Sequence, residues 1–217
     1  MIHSDPHHQA YDPAIGPHLV EYQVTRWCEH ICSYCPALGG RVDLREDELS
    51  TAAAERLLVQ VSRFAQPTNL LLTGGDLMYR HDVFRLVQFA HELGISTGAK
   101  LCPTTRLTPT GLGKLQNVGL DYLVMSVEGH DNVSHDGIRG GGSVSGEFAR
   151  TMRALSWARR MALPVQAHTL LVVRNARELD AIASLLVDCG VAAWPTPFDS
   201  SLHRRLPPQL VAPSLHA

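Results

Sequence analysis

Three cysteines within eight residues, Cys28-Glu29-His30-Ile31-Cys32-Ser33-Tyr34-Cys35, constrain this chain more than any other stretch. Their spacing, C-x3-C-x2-C, follows a short apolar run (Leu19, Val20, Tyr22, Val24) that reads as a strand. Thiols this close can converge on one inorganic centre, and iron–sulfur clusters are held by thiolates from such short runs. A [4Fe-4S] cluster has four irons, so three thiolates leave one iron open for another ligand. Two further readings stay open on spacing alone. Positions 28, 32 and 35 also follow i, i+4, i+7, one face of a helix, and buried cysteine is common. Against that helix, Glu29, His30 and Ser33 interrupt the run, Pro36 follows it, and Gly39 and Gly40 come soon after, which is a loop composition. A zinc site with His30 as fourth ligand is the other rival.

The surroundings narrow the setting. With 217 residues, 45% of them hydrophobic and 18% charged, the chain suits one domain with a sizeable core. A net charge of −2 gives no basic field for nucleic acid. No apolar run is long enough to span a membrane and the N-terminus shows no signal peptide. Five cysteines, three of them clustered, argue against a disulfide framework and for a reducing cytoplasm. His3, His7 and His8 lie in a polar start that reads as a solvated tail.

Residues 1–17 carry Pro6, Pro13, Gly16 and Pro17 without a period and read as an irregular lead-in. A strand at about 19–25 delivers the cysteine loop, and a loop at the C-terminal end of a barrel strand is where catalytic groups belong. The charged residues 41–49 read as a solvated connection. Ser50 is a good N-cap for a helix over about 51–65. Leu70 to Leu72 form a run apolar on both faces, the mark of a buried parallel strand, ending in Thr73-Gly74-Gly75. A helix over 82–93 stops at Gly94. Strand 95–101, helix 108–117 opened by Thr108-Pro109, and strand 122–127 follow. Residues 129–146 are glycine-rich and read as a long loop, which inside a compact domain is often functional. Helix 147–161, strand 165–173 and helix 176–187 complete the pattern. A sixth strand falls near 191–194, cut short by Pro195 and Pro197. The core domain thus spans 18–198, and 199–217 reads as an irregular tail. Alternating strands and helices argue for an α/β fold with a parallel sheet. The pattern leaves open whether that sheet is doubly wound or part of a barrel.

The cysteine motif resembles the signature of the radical S-adenosylmethionine (radical SAM) enzymes, C-x3-C-x-aromatic-C. Three further segments match in order: Thr73-Gly74-Gly75-Asp76, the glycine-rich turn after the second strand; Ser126-Val127-Glu128-Gly129, with Glu128 where Asp is usual; and His135-Asp136-Gly137-Ile138-Arg139-Gly140. The resemblance runs from about Val20 to about Cys189. It implies a partial (β/α)6 barrel, with Cys28, Cys32 and Cys35 binding three irons of a [4Fe-4S] cluster. The fourth iron would be chelated by S-adenosylmethionine, whose reductive cleavage gives a 5′-deoxyadenosyl radical that abstracts hydrogen from substrate. Tyr34 would offer its backbone to the adenine. Gly74 and Gly75, lacking Cβ, would let the backbone approach the methionine amino group, with Asp76 beside them. Ser126 would hydrogen-bond the S-adenosylmethionine carboxylate or ribose. Arg139 would pair with the carboxylate through its guanidinium fork; its bland alternative is a surface salt bridge. Thr105 and His168 are further candidates for cofactor contact, although a lone His on an apolar strand is more often a satisfied core residue. Cys102 and Cys189 read as packed thiols. No catalytic proton donor or acceptor stands out.

Flanking text (Tyr79-Arg80-His81-Asp82 and the Pro103-Thr104-Thr105 loop) is similar to a subgroup that includes haem-biosynthesis proteins and peptide-modifying maturases. Those usually continue into a C-terminal extension whose cysteines hold auxiliary clusters, and no cysteine follows Cys189 here. The resemblance implies an oxidoreductase or maturase acting on a tetrapyrrole or peptide, fed by a flavodoxin- or ferredoxin-type electron donor. The alternatives are a truncated or degenerate fold that binds a cluster without turnover, and a zinc-binding structural module.

Overall fold

The computed structural model describes residues 15–30, 32, 34–35, 47–139 and 146–193. Most of the lead-in, the run 41–46, Gly140 and the tail 199–217 lie outside the described residues, as does Trp194 at the end of the sixth strand.

Among the described residues, five parallel strands form one sheet in sequential order: β1 (Leu19–Thr25), β2 (Asn69–Gly74), β3 (Thr97–Lys100), β4 (Tyr122–Ser126) and β5 (Val165–His168). Between them run α1 (Thr51–Val61), α2 (Val83–Glu92), α3 (Pro109–Asn117), α4 (Asn132–Arg139) and α5 (Glu147–Arg160), and α6 (Leu179–Asp188) follows β5. Doubly wound sheets reverse their strand order at a switch point. This one never does, so the arrangement is an open segment of a barrel. Of the expected sixth strand, the described residues hold a parallel bridge between Gln166 and Ala193.

The residues explain these elements. On β1, Tyr22 and Val24 face the core while Glu21 and Gln23 are exposed, as an edge strand requires. On β2, Leu70, Leu71 and Leu72 are all buried, because helices and loops cover both faces. Ser50 caps α1 through Ala53 N, and Thr108 caps α3 through Gly111 N with Pro109 just inside. Among the described residues no helix is long and apolar enough to cross a membrane.

Three expectations change. The expected glycine-rich loop contains α4. Asp131 caps it through the Ser134 N–H at 2.8 Å, and His135, Ile138 and Arg139 form its buried stripe. That stripe outweighs Gly137, which costs about 1 kcal/mol in a helix. The expected strand 165–173 stops at His168, because side chains take over beyond it. The Thr169 hydroxyl donates to Val127 O (2.6 Å), and Leu170 N donates to the Glu128 carboxylate (2.6 Å). The first helix ends at Val61, short of 65.

Candidate functional site

The cysteine loop leaves the C-terminal end of β1 after a register shift between Gln23 and Thr25, an irregularity of the kind that re-aims a strand. It then lies against the turn after β2. Gly75 N donates to Thr25 O (2.9 Å) and Asp76 N to Trp27 O (2.8 Å). The two backbones are so close that a Cβ on Gly74 would stand 2.2 Å from Thr25 O, and one on Gly75 would stand 2.0 Å from Trp27 O. Gly74 also has φ +137°, which other residues avoid. Their lack of side chains thus serves contact between two protein segments.

Asp76 is fully buried. It accepts from Met78 N (2.9 Å) and from the Thr104 hydroxyl (2.5 Å), tying the β2 turn to the β3 turn. Thr105 is exposed; its N–H donates to Glu29 at 3.0 Å, and Tyr79 donates to the same carboxylate at 2.7 Å. Trp27 and Tyr79 rings lie 3.6 Å apart, with the Arg106 guanidinium 4.0 Å from the Tyr79 ring centre. These three border a cavity of about 580 Å³ that adjoins the loop. Arg80 is buried and binds Asp82 through two nitrogens (2.6 and 3.0 Å). It also donates to Val24 O (2.7 Å), pinning the end of β1.

Buried charged groups hold the other side. Tyr34 donates its hydroxyl to Glu128 at 2.8 Å. The Glu128 main chain is fixed by His135 Nδ1 (3.1 Å) and by the Asn175 amide (2.9 Å). Arg139 is only 4% exposed, so the surface salt bridge is ruled out. Its Nε stands 3.7 Å from Glu147. Glu147 also meets Arg150 and lies 3.1 Å from His30 Nε2. Burial lowers the pKa of His30 against the pull of Glu147. Burial opposes the charge of Arg139, yet Tyr34, Cys32, Cys102 and Glu128 around it prevail and hold its pKa above the ordinary value.

Cys28 is buried, while Cys32 and Cys35 are half-buried and share a turn in which Cys35 N donates to Cys32 O at 3.0 Å. Cys102, expected as a packed thiol, instead donates to Gly75 O at 3.2 Å and lies beside Cys28. The hydrogen bond with Cys28 and burial raise its pKa. Burial pushes the Cys32 thiol up to about 12 although Arg139 pulls it down. A buried thiol of this kind gives up its proton when a cationic centre replaces it. Three cysteines on one loop, with a buried guanidinium beside Cys32, are a donor set that suits an iron–sulfur cluster.

Ser126 and His168 end adjacent strands and face each other in register. Both are half-buried. Burial and then Lys100, at the end of β3, lower His168 to about 4. Lys100, Glu147, Thr104 and Asn175 were not singled out by the sequence. Lys100 ends a strand, Glu147 starts a helix, and Thr104 and Asn175 lie in loops; only their partners in space give them a role.

A model of the Radical SAM superfamily matches residues 22–186. An AdoMet-dependent heme synthase of Nitratidesulfovibrio vulgaris is 29% identical over 177 residues, covering 81% of this chain and 46% of its own. A PqqA peptide cyclase of Rhizobium meliloti is 28% identical over 173 residues, covering 80% and 44%. The chain spans about half the length of the curated relatives it matches. Among solved structures, Streptococcus suis SuiB bound to S-adenosylmethionine superposes with a TM-score of 0.67 at 12% identity, over 86% of this chain and 42% of that one. Methylornithine synthase (PylB) gives 0.67 at 18%, over 82% and 52%. Since the superfamily model covers well over half of the chain, the protein belongs to the radical SAM superfamily, whose members use a [4Fe-4S] cluster and S-adenosylmethionine.

Proposed function

We propose that this chain is the catalytic core of a radical SAM enzyme in which Cys28, Cys32 and Cys35 hold the cluster. The observation that carries this is the convergence of the four motifs: Gly74 and Gly75 pack on the cysteine loop, Glu128 binds Tyr34, and Arg139 lies beside Cys32. When bound, the cluster supplies one electron for the reductive cleavage of S-adenosylmethionine and hence for hydrogen abstraction from a substrate.

The chain's own residues position and shelter that chemistry. Tyr34, fixed by Glu128, sets the aromatic position of the loop. Arg139 brings a buried positive charge suited to a carboxylate. Ser126 and His168 present polar groups at the rim of the sheet, with Thr105 and Asp76 holding the loops around it. Gly74 and Gly75 let the turn after β2 pack directly on the cysteine loop, which would bring that turn's backbone beside the methionine end of S-adenosylmethionine.

The substrate reading is a tetrapyrrole or a peptide. It is supported by the names of the heme synthase and peptide cyclase relatives. The aromatic wall of Trp27 and Tyr79 with Arg106 suits a flat or carboxylate-bearing molecule. A flavodoxin- or ferredoxin-type protein is the proposed electron donor. Anaerobic reconstitution followed by reduction tests the reading: it predicts S-adenosylmethionine-dependent release of 5′-deoxyadenosine. A fully reconstituted, reduced protein that leaves S-adenosylmethionine intact contradicts it.

A further inference from the structure

Ligand atoms of Cys28, His30 and Cys102 lie within 4.8 Å of one another. Cys102 stands outside the cysteine motif, at the end of β3, yet its sulfur faces Cys28. A tetrahedral zinc ion with Zn–S bonds of about 2.3 Å places two sulfurs about 3.8 Å apart, so these groups need only a small inward movement.

His30 supplies the second, independent observation. It is 5% exposed. Its Nε2 is engaged by Glu147 at 3.1 Å, but its Nδ1 is buried without a hydrogen-bond partner. A buried polar atom left unpaired is costly. A histidine whose far nitrogen donates to a carboxylate while the near one is free has the arrangement of a metal ligand. The His30 backbone N–H donates to Cys28 Sγ at 3.4 Å, which holds the two residues together.

We propose that the cluster-free chain binds one thiophilic divalent ion, zinc or ferrous iron, through Cys28 Sγ, His30 Nδ1 and Cys102 Sγ, and that this ion competes with the cluster for Cys28. Binding releases the two thiol protons to solvent. The two thiolates then balance the ion, so the buried charge of the Glu147, Arg139 and Arg150 group is unchanged. Cys102 gives up its hydrogen bond to Gly75 O, and the open fourth position takes water. The site differs from the cluster site in its donors, two sulfurs and one nitrogen against three sulfurs. The ion site itself does not depend on the cluster assignment; only the competition for Cys28 rests on that reading.

The test uses the cluster-free full chain under anaerobic conditions. Cobalt(II), a spectroscopic stand-in for zinc, is expected to bind one per chain with thiolate charge-transfer bands and intense tetrahedral visible bands. His30→Ala and Cys102→Ser lose both sets of bands, and Glu147→Gln weakens binding by about tenfold. Cys32→Ser and Cys35→Ser keep them. Zinc X-ray absorption on the unsubstituted chain, which needs no variant to fold, is expected to read two sulfurs and one imidazole. A three-sulfur zinc shell overturns the proposal. So does cobalt binding that survives Cys102→Ser but vanishes with Cys32→Ser or Cys35→Ser, or the absence of thiolate bands.

Discussion

The cysteine loop is fastened on two sides by different physics. Toward β2 it is held by backbone: Thr25 and Trp27 carbonyls accept from Gly75 and Asp76, at a distance only glycine allows. Toward α4 and α5 it is held by buried side chains, His30 on Glu147 and Tyr34 on Glu128, with Arg139 between them. The first contact is short-ranged and steric, so it fixes position. The second carries charge, so it also sets the electrostatic surroundings of the sulfurs. One side tolerates no added atom, and the other tolerates no unbalanced charge.

The largest effect is expected on the charged side. Glu147→Ala leaves Arg139 and His30 without their shared carboxylate, and breaking a buried pair costs about 3–5 kcal/mol. Urea unfolding of the cluster-free chain measures it. A loss below about 1 kcal/mol would mean that the charged side does not hold the loop. On the backbone side, Gly75→Ala forces a Cβ into Trp27 O and is expected to cost about 3 kcal/mol. Gly94→Ala is the matched control: its φ is +73° but nothing lies within 4 Å of the added atom, so the cost is only the 1–2 kcal/mol or so of left-handed backbone. Equal losses at the two glycines would erase the steric half of the comparison.

Tyr34→Phe removes one donor from buried Glu128 while Leu170 N remains, a cost of about 1–2 kcal/mol. A separate prediction concerns pH. Burial lowers His135 to about 3, with Arg139 adding to it, and His168 stands at about 4. Between those values and about 6.5 the unfolded chain binds protons that the folded chain refuses. Stability is therefore full above about pH 6.5 and falls as the pH drops toward 4. Ring nitrogen NMR should show His135 still neutral at pH 5; a titration near 6.5 would contradict its burial by α4.

The two sides were also unequally legible. Gly74-Gly75 and the cysteine spacing are local patterns, and local patterns can be read from a string. The helix α4 was hidden because Gly137 and its neighbours resemble a loop, while its cap at Asp131 and its buried stripe show only in three dimensions. Strand β5 was overextended because no sequence signal says that Glu128 will take the Leu170 N–H. Glu147 was readable as a helix start but not as the partner of His30, since the two are far apart in the chain. Cys102 looked like filler for the same reason. The strand order was open to two solutions until the register between successive strands settled it.

The central claim is that Cys28, Cys32 and Cys35 grip a four-iron cluster with one iron left for S-adenosylmethionine. Electron paramagnetic resonance of the reconstituted, reduced protein tests it most directly, with iron counted in the same samples. The account predicts a reduced-cluster signal whose g-values shift when S-adenosylmethionine is added, lost along with the iron in Cys28→Ala, Cys32→Ala and Cys35→Ala. A spectrum indifferent to S-adenosylmethionine, or iron content unchanged by the three substitutions, would contradict it.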